Sequence, residues 1–141
     1  MAINNPKAGP NSVPAYQLSG IPYVTGSTNG TETITAKQFD FPNVTRFITV
    51  VNHAGTNTKQ VRVAFSSEGL TGTPATGQKN YFAIPGDQLS VTLPVRCKTV
   101  FITTTHGIEW SLCAGLTPIQ ASEFPVLTGS NGYQGVGGAA T

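Results

Sequence analysis

The centre of the chain consists of short runs in which apolar and polar residues alternate, separated by clusters of Gly, Pro and Asn. In the clearest run, 87–95, four aliphatic residues occupy every second position. This period of two predicts a β-strand with one buried face, because successive side chains of a strand point to opposite sides. Pro94 has no N–H to give to a neighbouring strand, so we expect this strand at a sheet edge or a bulge.

The alternation predicts an all-β fold. No convincing run at helical spacing occurs, and short strands bounded by turn residues favour antiparallel sheets. The expected fold class is an antiparallel β-sandwich, jelly-roll-like, with extended N- and C-terminal arms. Seven strands are predicted, at 31–39, 44–52, 60–66, 80–84, 87–95, 97–105 and 108–116.

The segments between these strands carry typical turn residues. Residues 52–57, Asn-His-Ala-Gly-Thr-Asn, are expected to form a hairpin loop, and residues 84–87, Ile-Pro-Gly-Asp, a tight turn. A further hairpin near His106 is expected to join the last two strands. The evenly apolar run 44–52 predicts a strand that has both faces covered or lies centrally in a sheet.

Both ends of the chain lack charge over long stretches, 8–31 and 124–141. Their Gly, Pro, Ser, Asn and Thr cannot form a core, yet they lack the high charge that keeps disordered tails in solution. We expect an N-terminal arm at 1–30, a β-sandwich domain at 31–117 and a C-terminal arm at 118–141. The arms either order against other subunits or pack back on their own domain. The residues expected to bind partners are Tyr16, Leu18, Ile21, Tyr23, Phe124, Leu127 and Tyr133.

The charge pattern argues against several classes of partner. Charged residues make up 10% of the 141 residues, and the net charge is +2, whereas soluble domains average roughly 25% charged residues. The Lys and Arg residues are scattered, so nucleic acid is not an expected partner. No run approaches the roughly 20 apolar residues of a membrane span, and no signal peptide is recognisable. We expect a protein made in a cytoplasm, with no membrane partner.

The residues that usually carry chemistry are sparse. The two histidines, His53 and His106, fall in expected turns, and the six carboxylates are isolated in sequence, whereas a zinc site needs three or four ligands. Residues 72–79 resemble a phosphate loop but have Gln where its Lys belongs. We expect no catalytic residue, no metal and no cofactor, and a protein that is not an enzyme. Carboxylates paired by folding remain an open alternative.

Cysteines and aromatic residues leave two further alternatives. Cys97 and Cys113 fall on the last two expected strands, where cross-strand neighbours can form a disulfide if the register suits. In a cytoplasmically made protein, two buried free thiols are favoured. Trp110 alternates with apolar residues and is interpreted as a core anchor. The alternative is a sugar-binding platform that uses Trp110 or the tyrosines Tyr16, Tyr23, Tyr81 and Tyr133.

A resemblance to a known class of proteins covers most of the chain. It is carried by the strands of 44–116 and by the two end segments Asn11-Ser-Val-Pro-Ala-Tyr-Gln-Leu-Ser-Gly-Ile-Pro-Tyr-Val-Thr25 and Phe124-Pro-Val-Leu-Thr-Gly-Ser-Asn-Gly132. A small β-sandwich with low charge and extended uncharged arms resembles the virion structural proteins of double-stranded DNA viruses. These include single jelly-roll minor capsid and penton proteins, and the cement or decoration proteins of phage heads.

The resemblance implies a structural component of a viral capsid that binds and stabilises neighbouring capsomers through its sandwich and arms. The implied partners are the major capsid protein, other virion proteins and further copies of the chain, as a trimer or pentamer. The implied location is the virion, after synthesis in the host cytoplasm. The alternative function is a carbohydrate- or receptor-binding β-sandwich module.

Overall fold

A computed structural model of the chain describes residues 20–27, 37–71, 80–88 and 90–125. These residues form eight strands and little helix. The strands are β1 (Ile21–Ser27), β2 (Lys37–Asp40), β3 (Asn43–Asn52), β4 (Gln60–Ala64), β5 (Phe82–Pro85), β6 (Ser90–Leu93), β7 (Thr99–Thr104) and β8 (Trp110–Gln120). The helical segments in this part of the chain are α1 (Ser67–Thr71) and a 3-10 turn at Ala121–Glu123. None of its helices is long and apolar enough to cross a membrane.

The strands form two antiparallel sheets of four strands each. Sheet A has the order β1-β8-β3-β6, and sheet B has the order β2-β7-β4-β5. The predicted all-β, antiparallel, sandwich-like architecture is therefore confirmed. The evenly apolar strand β3 is central in sheet A, and β6, which ends just before Pro94, lies at an edge, as expected.

Two expectations about connections are wrong. Residues 52–57 and the loop around His106 were expected to close hairpins, but β3 and β4 lie in different sheets, as do β7 and β8. Both loops therefore cross between the sheets. Gly and Asn permit a tight hairpin and an inter-sheet crossing equally well, so turn composition cannot distinguish them. Among consecutive described strands, β4 and β5 are the pair that hydrogen-bond to each other.

The described strands also differ in number from the expectation. Residues 21–27 form β1, whereas the sequence places them in the N-terminal arm. Pro22 and Gly26 interrupt the alternation of this segment, because both residue types are disfavoured inside strands. Within the predicted strand 31–39, the structure describes residues 37–39, which belong to β2.

The core lies between the two sheets and follows the predicted alternation. Inward residues of the central strands β3, β8, β4 and β7 are almost fully buried, each from alternate positions along its strand. Aromatic contacts also join the sheets: Trp110 of β8 packs edge-on against Phe39 of β2, with 5.6 Å between ring centroids. The aliphatic members of this shared core include Ile48, Val50, Val61, Val63, Val100, Ile102 and Leu112.

One buried amide organises the end of the molecule where chains cross between sheets. The Nδ2 of Asn52 donates to the carbonyl oxygens of Lys59 and Ile84, at 2.9 Å each, and its Oδ1 accepts from the N–H of Ala54. Beside it, the turn after β5 is closed by a bond from the N–H of Gln88 to the carbonyl of Pro85. The tight turn expected at 84–87 is therefore present, shifted by one residue to 85–88.

Candidate functional site

Histidines and carboxylates lie apart in the described part of the chain. No group of three or more His, Cys, Asp and Glu side chains in these ranges is placed to hold a metal ion. His53 and His106 are both exposed and lie in different loops. His106 contacts its neighbour, with Nδ1 3.0 Å from the Thr105 Oγ1.

His53 has one contact of chemical interest. Its Nε2 lies 3.3 Å from the Oγ of Ser111 on β8, and its N–H donates to the carbonyl of Glu109. A nucleophile and base pair also needs a group that orients the base and donors for an oxyanion. The described residues place no carboxylate in hydrogen-bond contact with the His53 ring, and the pair lies on an exposed surface. We interpret it as a contact that holds the loop against β8.

The two cysteines are free thiols in different environments. Burial raises the pKa of the Cys97 thiol from 9.0 to about 11, and a hydrogen bond with Thr45 opposes the increase. Cys113 on β8 is only partly buried. The expectation of a buried free thiol is therefore right for Cys97 and only partly right for Cys113. The hairpin that was to bring the thiols together does not form, because β7 and β8 belong to different sheets.

The aromatic residues do not form an open platform around Trp110. This side chain is 2% exposed, so its interpretation as a core anchor is confirmed. The ring of Tyr81 has the Arg62 guanidinium over one face, 4.7 Å from the centroid. Stacking of a sugar on Trp110 would require the core to open.

The outer face of sheet A is an extended surface whose alternating outward positions carry no charge; the exposed charged residue of its strands, Arg46, lies at the irregularity of β3 between Thr45 and Phe47. Its side chains lie at positions that alternate with the buried residues of each strand; Val24, for example, is 71% exposed and pairs with the partly buried Cys113. We define this outer face of sheet A by Pro22, Val24, Gly26, Phe47, Thr49, Val51, Ser90, Thr92, Ser111, Cys113 and Gly115.

Strand register arranges this face in rows that cross the sheet. In the middle row Val24 pairs with Cys113, Cys113 with Thr49, and Thr49 with Thr92. The hydroxyl groups of Thr49 and Thr92 are 2.9 Å apart. On one side of it Gly26, Ser111, Val51 and Ser90 form the next row. The surface therefore presents small side chains, apolar groups and neutral hydroxyls.

No protein-family model, curated protein or solved structure matches this chain. Its function has to be inferred from its own geometry.

The outer side of sheet B has a different character. It carries charge at Asp40 and Arg62, and α1 packs against β4 and β7. The side chain of Gln38 donates to the Asp40 carboxylate, which also accepts from the Thr99 hydroxyl. Sheet B thus covers part of its own outer side and presents charge on the rest, so the outer face of sheet A, which has less charge, is the better candidate for a contact surface.

The edge of sheet A formed by β1 is equally distinctive. Edge strands β2, β5 and β6 have four residues each, whereas β1 has seven. β1 contains no charged residue, and its apolar side chains Val24 and Ile21 are 71% and 45% exposed. Natural proteins usually protect an edge by shortness, charge or proline. Only Pro22, near one end of β1, serves that purpose here.

The structure separates the residues predicted to bind partners. Ile21 and Tyr23 belong to β1, where Tyr23 turns inward and packs edge-on against Phe41, with 5.0 Å between centroids. Phe124 packs against Val44 and Ile119, and its carbonyl accepts a hydrogen bond from Lys98 Nζ at 2.8 Å. The other predicted residues lie outside the described ranges: Tyr16, Leu18, Leu127 and Tyr133.

Sequence reasoning missed Val24 and the rows across sheet A. The signal in β1 is weak, because the alternation of Tyr23 and Thr25 with Val24 is flanked by Pro22 and Gly26. The lack of charge at alternating positions of β6, β8 and the second half of β3 is readable from the sequence. The sequence does not show which of these strands share a sheet, since the strands that pair are distant from each other in the chain.

Proposed function

We propose that this protein is a jelly-roll structural component of a viral capsid, of the minor capsid, penton or cement type. In this role it binds and stabilises neighbouring capsomers through its sandwich and arms, and the virion is its location. Its partners are the major capsid protein, other virion proteins and further copies of itself.

The order of strand pairing supports the jelly roll. β1 pairs with β8, β2 with β7, β3 with β6 and β4 with β5, and successive pairs alternate between sheet A and sheet B. These pairs correspond to one long antiparallel hairpin of eight strands that is rolled into two sheets. Eight strands in two such sheets with crossing connections are the pattern of a jelly roll.

The low charge on the outer face of sheet A is the observation that carries the functional proposal. Jelly rolls occur in capsid proteins, lectins and cupins, so the fold by itself does not decide between functions. The centres of protein interfaces are depleted in charge relative to the rest of a surface. A face of four strands with exposed Val24, half-buried Phe47 and Val51, and charge limited to Arg46 at the irregularity of β3 is suited to contact with another protein.

The composition of the chain ends gives further support. Residues 8–19 and 126–141 carry no charge, and the proposal assigns them to contacts with neighbouring subunits. Main-chain hydrogen bonds from an added strand, together with burial of Tyr16, Leu18 or Leu127, provide affinity without charged contacts. Repetition in a symmetric shell then multiplies weak contacts into a stable assembly.

The alternative, a carbohydrate- or receptor-binding module, has less support. Its aromatic platform was to use Trp110 or exposed tyrosines, but Trp110 is buried, and the Tyr81 ring lies against Arg62. No feature of the described residues favours sugar over protein as the ligand.

Light scattering coupled to size exclusion tests the proposal. The full-length chain is expected to form a closed trimer or pentamer as its concentration rises. Thr49→Arg places a charge at the centre of the outer face of sheet A and should reduce this assembly. Gln38→Arg adds the same charge to the outer side of sheet B and should leave it intact. A wild-type chain that stays monomeric at every concentration contradicts the proposal.

A further inference from the structure

We propose that β1 pairs with β1 of a second copy of this chain, antiparallel and about a two-fold axis at Val24. The pairing joins the two copies of sheet A into one continuous sheet. It names a specific contact within the proposed assembly function, and its place in a shell rests on that function. The pairing itself rests on the geometry of β1.

β1 is an edge strand of the described part of sheet A, with β8 on one side only. All seven residues of β1 pair with β8, from Ile21 opposite Leu116 to Ser27 opposite Trp110. Among the described residues, no strand lies on the other side of β1. An edge strand without a neighbour presents a row of unpaired N–H and C=O groups, which is a template for another strand.

The other edges of the chain match β1 poorly. β2 carries Lys37 and Asp40, which would enter the new contact as charges. β5 includes Pro85 and β6 is followed by Pro94, and neither proline has an N–H to donate. All three edges have four residues, so each would leave part of β1 unpaired. A second copy of β1 matches its length and its lack of charge.

Pro22 indicates which backbone groups of β1 face away from β8. Proline is tolerated on an edge strand where the missing N–H would point to solvent. Because alternate residues of an antiparallel strand direct their N–H and C=O to the same side, Val24 and Gly26 also direct theirs outward. β1 therefore retains donors and acceptors for a new strand in its middle, despite the proline near its end.

A two-fold axis at Val24 pairs these outward N–H and C=O groups with the same groups of the second copy. Val24 of each copy then donates to and accepts from Val24 of the other, and the N–H of Gly26 donates to the carbonyl of Pro22. Tyr23 faces Thr25 of the second copy, and Ile21 faces Ser27. The most exposed apolar side chain of the described residues, Val24, packs against its own counterpart on the outer face of the joined sheet.

The expected contact is weak but useful in a shell. An edge of this length buries less than the roughly 1,200 Å² at which stable interfaces begin, so an isolated dimer should dissociate readily. Cyclic trimers or pentamers are closed and cannot extend by themselves; a two-fold contact between them links rings into a shell. Many copies of the contact then act together.

Sedimentation velocity over a wide concentration range tests the pairing with the full-length chain. Val24→Lys places a charge at the centre of the pairing and should weaken the two-fold association by at least about tenfold in dissociation constant. Gln38→Lys is the matched control, because Gln38 is exposed on an edge strand of the other sheet, β2. Circular dichroism and Trp110 fluorescence verify that both variants fold.

Disulfide trapping tests the register. Val24→Cys should form an inter-chain disulfide on mild oxidation, because residues opposite each other in an antiparallel pair have Cα atoms within disulfide range. The variant must also carry Cys113→Ser, since Cys113 is the register partner of Val24 and would compete within the chain. Ser90→Cys in the same Cys113→Ser background is the control and should not cross-link.

The outcomes separate this inference from the proposed function. Cross-linking at position 24 but not at position 90, with weaker association of Val24→Lys, supports the β1 pairing. A chain that assembles while Val24→Cys stays uncross-linked and Val24→Lys behaves as wild type overturns the pairing and leaves the proposed function standing. A chain that is monomeric and uncross-linked at every concentration overturns both. Equal cross-linking at positions 24 and 90 overturns the pairing as well.

Discussion

At the scale of single residues, the buried side chain of Asn52 makes three hydrogen bonds to the backbone. It satisfies the N–H of Ala54 and the carbonyl of Lys59 in the loop between β3 and β4, and the carbonyl of Ile84 in β5. A buried backbone group that loses its partner keeps its full desolvation cost, whereas a satisfied one does not. Asn52 therefore stabilises the fold by satisfying these backbone groups rather than by burying its own side chain.

Asn52→Ala is expected to lower the free energy of unfolding by about 2–4 kcal/mol, because it leaves these backbone groups unpaired. Urea unfolding measures the change. Asn57→Ala makes the same substitution at an exposed position of the same loop and should change stability by less than about 0.5 kcal/mol. Equal effects of the two variants would mean that the amide of Asn52 is not needed.

Titration of Cys97 makes the free energy of unfolding depend on pH in the alkaline range. Its pKa in the folded state, about 11, lies above 9.0 because burial disfavours the thiolate. The protonated thiol therefore stabilises the folded state. This contribution is complete below pH 9 and is lost as the pH rises toward 11.

The difference in unfolding free energy between wild type and Cys97→Ala is expected to shrink by up to about 3 kcal/mol between pH 9 and pH 11. Comparing the two proteins at each pH cancels the titration of other groups. Urea unfolding across this pH range is the measurement. Parallel pH profiles for the two proteins would rule out Cys97 as the source.

At the scale of elements, β1 depends on one close approach. Gly26 lies against β8 so tightly that an added Cβ would be 2.5 Å from the carbonyl oxygen of Trp110 and 3.2 Å from the Cα of Ser111. These are backbone atoms and cannot rotate away. Since β8 is the only strand that pairs with β1 among the described residues, the position of β1 in the sheet depends on this glycine.

Gly26→Ala should push β1 away from β8 and destabilise the protein by about 1–3 kcal/mol. Gly20→Ala is the matched control, because an added Cβ at Gly20 has no neighbour within 4 Å. Thermal unfolding and amide hydrogen exchange of β1 report the change. Unaltered exchange in Gly26→Ala would show that β1 tolerates the displacement.

Elements also differ in how well their sequence predicts them. The predicted strands 44–52 and 60–66 correspond closely to β3 and β4, because each carries an unbroken apolar pattern that its burial follows. β1 was missed because proline and glycine interrupt its pattern. The outer face of sheet A was missed for a different reason: its members come from four strands that are distant in sequence.

At the scale of the whole molecule, the two sheets share one core. Trp110, the single tryptophan of the chain, belongs to sheet A and packs against Phe39 of sheet B. Its fluorescence therefore reports the contact between sheets, whereas far-ultraviolet circular dichroism reports the strands. Small domains with one core usually unfold in a single cooperative step.

We expect the two signals to give the same unfolding midpoint in urea. Folding should be slow, on the scale of milliseconds to seconds, because β1 must find β8 across almost the whole described chain. Stopped-flow fluorescence measures the rate. Midpoints that separate between the two probes would mean that the sheets come apart before the strands unfold.

Local residue patterns establish that this chain is all-β and where most of its strands lie, because the period-two alternation of each strand is contained within that strand's own residues. The low charge of the segments that form the outer face of sheet A, with Arg46 as their one charged residue, is also visible in the sequence. The pairing of the strands is visible only in the folded molecule, since paired residues such as Val24 and Cys113 are 89 positions apart in the chain. Pairing of that kind depends on packing of the two sheets against each other, and no local pattern of residues encodes it.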